Sequence, residues 1–295
     1  MSDAYERTTE DTTVATGGLA DDTVVRRIGE LVTALFALAV LGFLGWILAT
    51  QVDYELLAEV FPQFVEAFRL VLFIVVVSSV LSVSLGTLMG LARISASPLT
   101  ARVAKGYVEF FRGTPLLFQL FVIFLGIPRA WPFGAFPVDD FRVPAAIIGL
   151  TLNHIAYVAE ATRGGVNAVP DGQLEAARSL GMSRVQAMRK IVLPQAWRNA
   201  LPAIGNDQII LVKDTSLLTV IAVPEILSVF RNINSATFDP WTPLVWVCLF
   251  YLTMTVSLSL IVSQLERRAD WEIDDDGDSW LNRLLGSSRS PGGER

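Results

Sequence analysis

Apolar residues gather in six blocks along the chain, at about residues 31–49, 64–91, 106–126, 145–164, 201–224 and 243–265, with polar stretches between them. Each block is long enough to cross a hydrocarbon layer of about 30 Å at about 1.5 Å per residue, so the pattern predicts a bundle of about six membrane-spanning helices. The third block is the most broken: Glu109, Arg112, Gly113 and Pro115 interrupt it and leave only residues 116–125 fully apolar. In the second block Ser78, Ser82, Gly86 and Gly90 recur at every fourth position. Four small residues on one helix face let another backbone approach closely, which predicts a packing seam in preference to a substrate path.

Over 295 residues the chain is 52% hydrophobic and 18% charged, with a mean hydropathy of +0.50. That is more apolar than a soluble domain of this length requires, and the chain reads as an all-α integral membrane protein. The first block starts at residue 31 and no small-x-small cleavage site follows Thr50, so it reads as a span and not as a cleaved leader. A single cysteine, Cys248, excludes an intrachain disulfide, and a single histidine removes most metal clusters, so no metal site is expected. The net charge of −6 is concentrated at the two ends, with Asp3, Glu6, Glu10, Asp11, Asp21 and Asp22 before the first block and residues 270–278 after the last. Residues 1–28 and 269–295 are therefore expected to be acidic, solvated, disordered tails. Acidic surfaces suit a salt-rich cytosol and point to a halophilic prokaryote; the plainer alternative is that the tails are merely acidic.

Lys and Arg of short loops are retained on the cytoplasmic side. One face of the bundle receives Arg26, Arg27, Arg93, Arg102, Lys105, Arg178, Arg184, Arg189, Lys190, Arg198, Arg267 and Arg268, and the other only Arg129, Arg142 and Arg231. Both termini and the loop at 170–195 are thus expected in the cytoplasm. Trp131, Phe133, Trp241 and Trp246 fall near the external boundaries and read as interfacial anchors.

The cytoplasmic loop carries its own structure. Asp171 after Pro170 predicts a helix N-cap, Leu174, Ala177 and Leu180 share a face, and Gly181 supplies the left-handed position that ends a short helix. Ser183 with Gln186 forms a capping box that starts a second helix, in which Val185, Met188 and Val192 continue the apolar face up to Pro194, where the helix should end or bend. The result is one apolar ridge flanked by Arg178, Arg184, Arg189 and Lys190. Such a hairpin suits docking to a soluble partner, and it suits equally a site lying on anionic lipid.

Glu175-Ala176-Ala177, Gly181, Ile191, Leu193 and Pro194 resemble, in identity and spacing, the EAA loop of the permease subunits of binding-protein-dependent ABC importers. Phe111-Arg112-Gly113-Thr114-Pro115-Leu116-Leu117, Leu150-Thr151-Leu152-Asn153 with Ala156, Tyr157 and Glu160, and Lys213-Asp214-Thr215-Ser216-Leu217 extend the resemblance to the polar amino acid, histidine/glutamine-type subfamily, over residues 61–268. The resemblance implies a type I importer permease core of five helices at 61–268, with the helix at 29–50 as an addition and the EAA loop at 170–195 as a coupling hairpin. It places ATPase coupling on Glu175, Ala176, Ala177, Gly181, Leu193 and Pro194. The implied partners are a cytoplasmic ABC ATPase dimer, an extracytoplasmic solute-binding protein, a second permease subunit of the same or a sister sequence, an amino acid as cargo, and membrane lipid; no nucleic acid is implied. The chain holds no G-x-x-x-x-G-K-[ST] loop, so it is not expected to be an enzyme, and ATP and Mg belong to the partner ATPase.

A substrate path is expected where the spans carry polar residues. Asn153, Tyr157 and Glu160 share one face of the fourth block, and an ionisable residue facing lipid would be expensive, so that face should turn inward. The fifth block runs the other way with Asn206, Asp207, Lys213, Asp214, Thr215 and Ser216. Two arrangements are open: a substrate carboxylate meeting Lys213, Thr215 or Ser216 while its ammonium meets Glu160 or Asp214, and a structural ion pair of Lys213 with Asp214 or Glu160. Asn153 and Lys213 are expected at similar depth. His154 points away from Asn153 and is expected to pack or to bond between helices, and Glu109 and Arg112 are expected to pair locally. Two rivals remain at this level: a secondary transporter coupled to H⁺ or Na⁺ through Glu160, Lys213 and Asp214, and a non-transporting membrane scaffold whose hairpin recruits a soluble protein.

Overall fold

The computed structural model describes residues 22–284, with side chains from 25 to 268. Of the acidic tails expected to be disordered, residues 1–21 and 285–295 lie outside these limits, whereas 22–28 and 269–284 continue the neighbouring helices instead. All described regular structure is helical, which satisfies backbone N–H and C=O groups within each segment where lipid offers them no partner. The chain divides into two compact units, residues 1–54 and 55–295. The first contains α1 (Asp22–Thr50), of which Val25–Thr50 is long and apolar enough to cross a membrane. Its end is closed by the Thr50 hydroxyl donating to Trp46 O and by Tyr54 OH donating to Leu48 O.

The second unit contains α2 (Tyr54–Arg93), α3 (Pro98–Gly113), α4 (Leu116–Ala130), α5 (Arg142–Asn167), the short α6 (Asp171–Ser179), α7 (Leu193–Asp214), α8 (Ile226–Thr237) and α9 (Trp241–Leu284). α2, α5 and the Trp241–Arg268 part of α9 are each long and apolar enough to span. The third apolar block is not one straight helix: α3 and α4 meet at 103° across Thr114 and Pro115. Pro115 cannot continue α3, and the bend would strand carbonyls at the end of that helix. Gln119 takes them up, its amide donating to Phe111 O at 2.9 Å and Thr114 O at 3.0 Å. The fifth block also differs from its apolar length. α7 stops at Asp214, a 3₁₀ turn runs from Thr215 to Ile221, and Ala222 turns the chain with φ 59°.

The small residues of α2 form the expected seam. Ser78, Ser82, Gly86 and Gly90 are all buried, and a Cβ on Gly90 would lie 2.6 Å from Thr162 Cβ and 2.7 Å from Ala159 O of α5. α5 lies as close to α7, since a Cβ on Gly165 would lie 2.3 Å from Ala196 O. Apolar clusters complete the unit, one around Phe64, Val71, Leu211, Ile226 and Met254, another around Ile74, Leu120, Leu150 and Leu218. The bent α3–α4 element, α5 and α7 thereby enclose the polar residues that the apolar pattern leaves over.

Candidate functional site

The loop between α5 and α7 is built by local bonds. α6 ends at Leu180, with Gly181 at φ 82°; Gly181 N donates to Arg178 O at 3.0 Å and Met182 N to Ala177 O at 3.1 Å, the two bonds of a Schellman motif. Ser183 Oγ then accepts from Gln186 N, and Gln186 Oε1 accepts from Ser183 N at 2.9 Å, closing the capping box. Asp171, expected as the N-cap of α6, is instead its first helical residue after Pro170, where its carboxylate faces the positive end of the helix dipole. Pro194 does not end the helix; it lies at the start of α7 with helix on both sides. A π turn at Met188–Val192 precedes it, and the wider coil gives room for a proline ring that would otherwise meet the carbonyl four residues back. A second π turn, Val122–Gly126, stands in the same relation to Pro128 in α4.

The expected single apolar ridge is divided in two. Leu174 and Met188 pack inward with Val169, Val192 and Ala196, and Ala177 is buried. Leu180 and Val185 stand 82% and 76% exposed at the tip. Around them Glu175, Ala176, Arg178, Gly181, Arg184 and Arg189 are exposed; Leu193 is half-buried and Pro194 exposed at the start of α7.

A cavity of about 470 Å³ lies between the α3–α4 bend, α5 and α7, lined by residues that include Arg112, Asn153, His154, Tyr157, Asp207 and Asp214. Asn153 donates to Gln119 Oε1 at 3.0 Å, so the staple of the bend also ties to α5. The buried His154 lies with Nδ1 3.0 Å from Asp207 Oδ1 and Nε2 3.4 Å from Asp214 Oδ2, and Gln208 donates to the other Asp207 oxygen at 3.1 Å. Two carboxyl groups thus flank one imidazole on this wall. His154 makes the interhelical hydrogen bond expected of it through Nδ1, to Asp207, while Nε2 approaches Asp214 without one.

Of the residues expected on the path, Asn153, Tyr157 and Asp214 line this cavity, and Tyr157 and Glu160 line the spaces beside it. Lys213, Thr215 and Ser216 are not among the residues lining it. The Thr215 hydroxyl donates to Val212 O at 2.7 Å and the Ser216 hydroxyl to Lys213 O at 2.8 Å, and Lys213 is exposed with no ion pair among the described residues. Neither Lys213 pair considered above is formed. The expected match in depth between Asn153 and Lys213 is replaced by one between His154 and Asp207, because α7 begins eight residues before the apolar block that suggested it.

Glu160 lies toward the hairpin end of α5 and binds cations. It accepts hydrogen bonds from Arg93 and Arg163, and Arg112 Nη1 stands 3.7 Å from its Oε2. Arg112 therefore does not pair with Glu109, which faces Lys105 at 3.5 Å; its guanidinium lies 5.5 Å over the Tyr157 ring. The sequence placed Asp207 among the polar residues of the fifth block without giving it a partner, and assigned His154 no place on the path. The signal was present: Asp207 and Asp214, seven apart on one helix face, each need a partner inside the bilayer.

The family model described as binding-protein-dependent transport system inner membrane component matches residues 82–271. The glutamine transport system permease protein GlnP of Escherichia coli (strain K12) is 36% identical over 221 residues, 74% of this chain and 98% of that protein. The arginine transport system permease protein ArtQ of Bacillus subtilis (strain 168) is 35% identical over 218 residues, 74% of this chain and 97% of that protein. Among solved structures, an amino acid ABC transporter with histidines superposes with a TM-score of 0.67 at 34% identity, covering 74% of this chain and 99% of its own. The inward-facing methionine transporter MetNI, at 18% identity and a TM-score of 0.62, shares the fold.

Proposed function

The chain belongs to the family of binding-protein-dependent transport system inner membrane components, a multi-pass permease working with separate ATPase and binding proteins, and we propose that its cargo is a polar amino acid carried into the cytoplasm. The observation that carries this reading is the wall formed by Asp207, His154 and Asp214 in a cavity inside the helix bundle. Two carboxyl groups there can accept hydrogen bonds from the ammonium group of an amino acid, with the Asn153 amide beside them. The names of the relatives, glutamine and arginine permeases, support the same class.

The hairpin is the input for energy. Leu180 and Val185 form an apolar tip, with Glu175 exposed on α6 just before it, which suits a groove on an ATPase subunit. Because the second half of the hairpin runs through the π turn into α7 without a break, a push on the tip moves the helix that holds Asp207 and Asp214. Two permease subunits, identical or sister sequences, would place two hairpins against an ATPase dimer, and the Lys and Arg bias supports a cytoplasmic side for hairpin and termini.

The test is uptake of a panel of labelled amino acids by vesicles containing this chain, its ATPase and its binding protein. ATP-dependent uptake of at least one of them, abolished by Glu175→Lys, is expected. Uptake that ignores ATP and follows an ion gradient would replace this reading with a secondary transporter, and no uptake of any would replace it with a scaffold.

A further inference from the structure

Glu160 is the one carboxylate among three guanidinium groups, those of Arg93, Arg112 and Arg163. The nearby Glu109 does not alter that excess, since Lys105 accompanies it. The three arginines are not equivalent. Arg93 and Arg163 hydrogen-bond Glu160, whereas Arg112 stands off at 3.7 Å with its side chain 43% exposed. Arg112 also lines three adjoining spaces: the central cavity with Asp207 and Asp214, the space holding Glu160 and Glu109, and one that reaches Asn206 and Gly164 toward the hairpin end. It sits at the last turn of α3, where the 103° bend fixes the backbone, and the Tyr157 ring supports its plane.

We infer that Arg112 is a carboxylate-transfer residue, which takes the carboxylate of a departing amino acid from the central cavity and surrenders it as Glu160 reclaims the guanidinium. A planar guanidinium with a free edge binds a carboxylate through two parallel hydrogen bonds, and a resident carboxylate within reach competes for that edge. The competition keeps the site weak enough to empty, which any station on a conduction path requires. Three cations around one anion leave room for a second anion without an unpaired negative charge.

This inference rests on the amino acid reading, and its test bypasses the binding protein, which would select for the carboxylate itself. Labelled glutamine, arginine and histidine are bound to the permease–ATPase assembly in nanodiscs and competed by each amino acid or by its α-carboxamide. In the unaltered assembly the carboxamide is expected to compete at least ~10-fold more weakly. Arg112→Gln should bring the two within about twofold, and Arg112→Lys should keep part of the difference, because an ammonium retains charge but not the fork. Glu160→Gln should bind the amino acid several-fold more tightly and lower turnover at saturating ATP, as release slows. Should Arg112→Gln fail to assemble, Glu160→Gln decides. Undiminished discrimination in Arg112→Gln, or unchanged affinity in Glu160→Gln, overturns the inference while leaving amino acid transport standing. Binding and uptake of none of the three overturns both.

Discussion

In the hairpin, the contacts that fix the backbone close within five residues: Met182 to Ala177, Gly181 to Arg178, Ser183 with Gln186. Around the cavity they join Gln119 to Asn153, His154 to Asp207 and Arg93 to Glu160, residues 34, 53 and 67 positions apart. The hairpin therefore keeps its shape largely by itself, as an element that must present one face to a partner should. The cavity holds its shape only while α3, α5 and α7 hold theirs, so any tilt of α7 rewrites its contacts. One region is rigid by local chemistry and the other is responsive through distant pairing, which is the division of labour a driven permease needs.

The largest effect should come from breaking the distant pairing. His154→Leu removes the partner of the buried Asp207, and leaving one member of a buried pair uncompensated costs about 3–5 kcal/mol. The thermal unfolding midpoint of the purified assembly should fall accordingly. His154→Leu combined with Asp207→Leu should be milder than His154→Leu alone, because the stranded charge is gone too. Equal midpoints for the single and double variants would show that the pair is not coupled.

This same difference decides what was legible in the sequence. Gly181 and the Ser183–Gln186 box were readable because the residue types and the short spacings that define them are printed next to one another. The seam of Ser78, Ser82, Gly86 and Gly90 was readable because four small residues on one face have few other uses. The 103° bend was visible only as an interruption, since Pro115 announces a break but not its angle. The partners of Glu160 and His154 on other helices were not legible, because they depend on where α2, α3 and α7 lie across from α5, and the apolar block misplaced the start of α7. The π turns were hidden as well; Pro194 read as the place where a helix ends or bends, and only the widened coil before it shows how the helix passes through.

An intermediate effect is expected at the α5–α7 contact, where two adjacent glycines provide an internal control. Gly165→Val would drive a Cβ to within 2.3 Å of Ala196 O, whereas nothing lies within 4 Å of the corresponding position on Gly164. Overpacking of this kind costs about 1–3 kcal/mol, so Gly165→Val should lower the unfolding midpoint and Gly164→Val should not. Equal responses would place the α5–α7 approach elsewhere.

The smallest effects belong to the hairpin, and they should stay there. Gly181→Ala puts a side chain at φ 82°, a cost of about 1–2 kcal/mol. Ser183→Ala removes a cap worth about 1 kcal/mol. Because the contacts are local, both should speed amide hydrogen exchange across residues 171–187 while leaving exchange in α5 and α7 near His154 unchanged. The two substitutions should also add, since the Schellman motif and the capping box share no side chain. If exchange around His154 rose in step with that of the hairpin, the two regions would form one cooperative unit. The hairpin could then no longer act as a stiff lever on α7, and coupling would have to proceed by local unfolding.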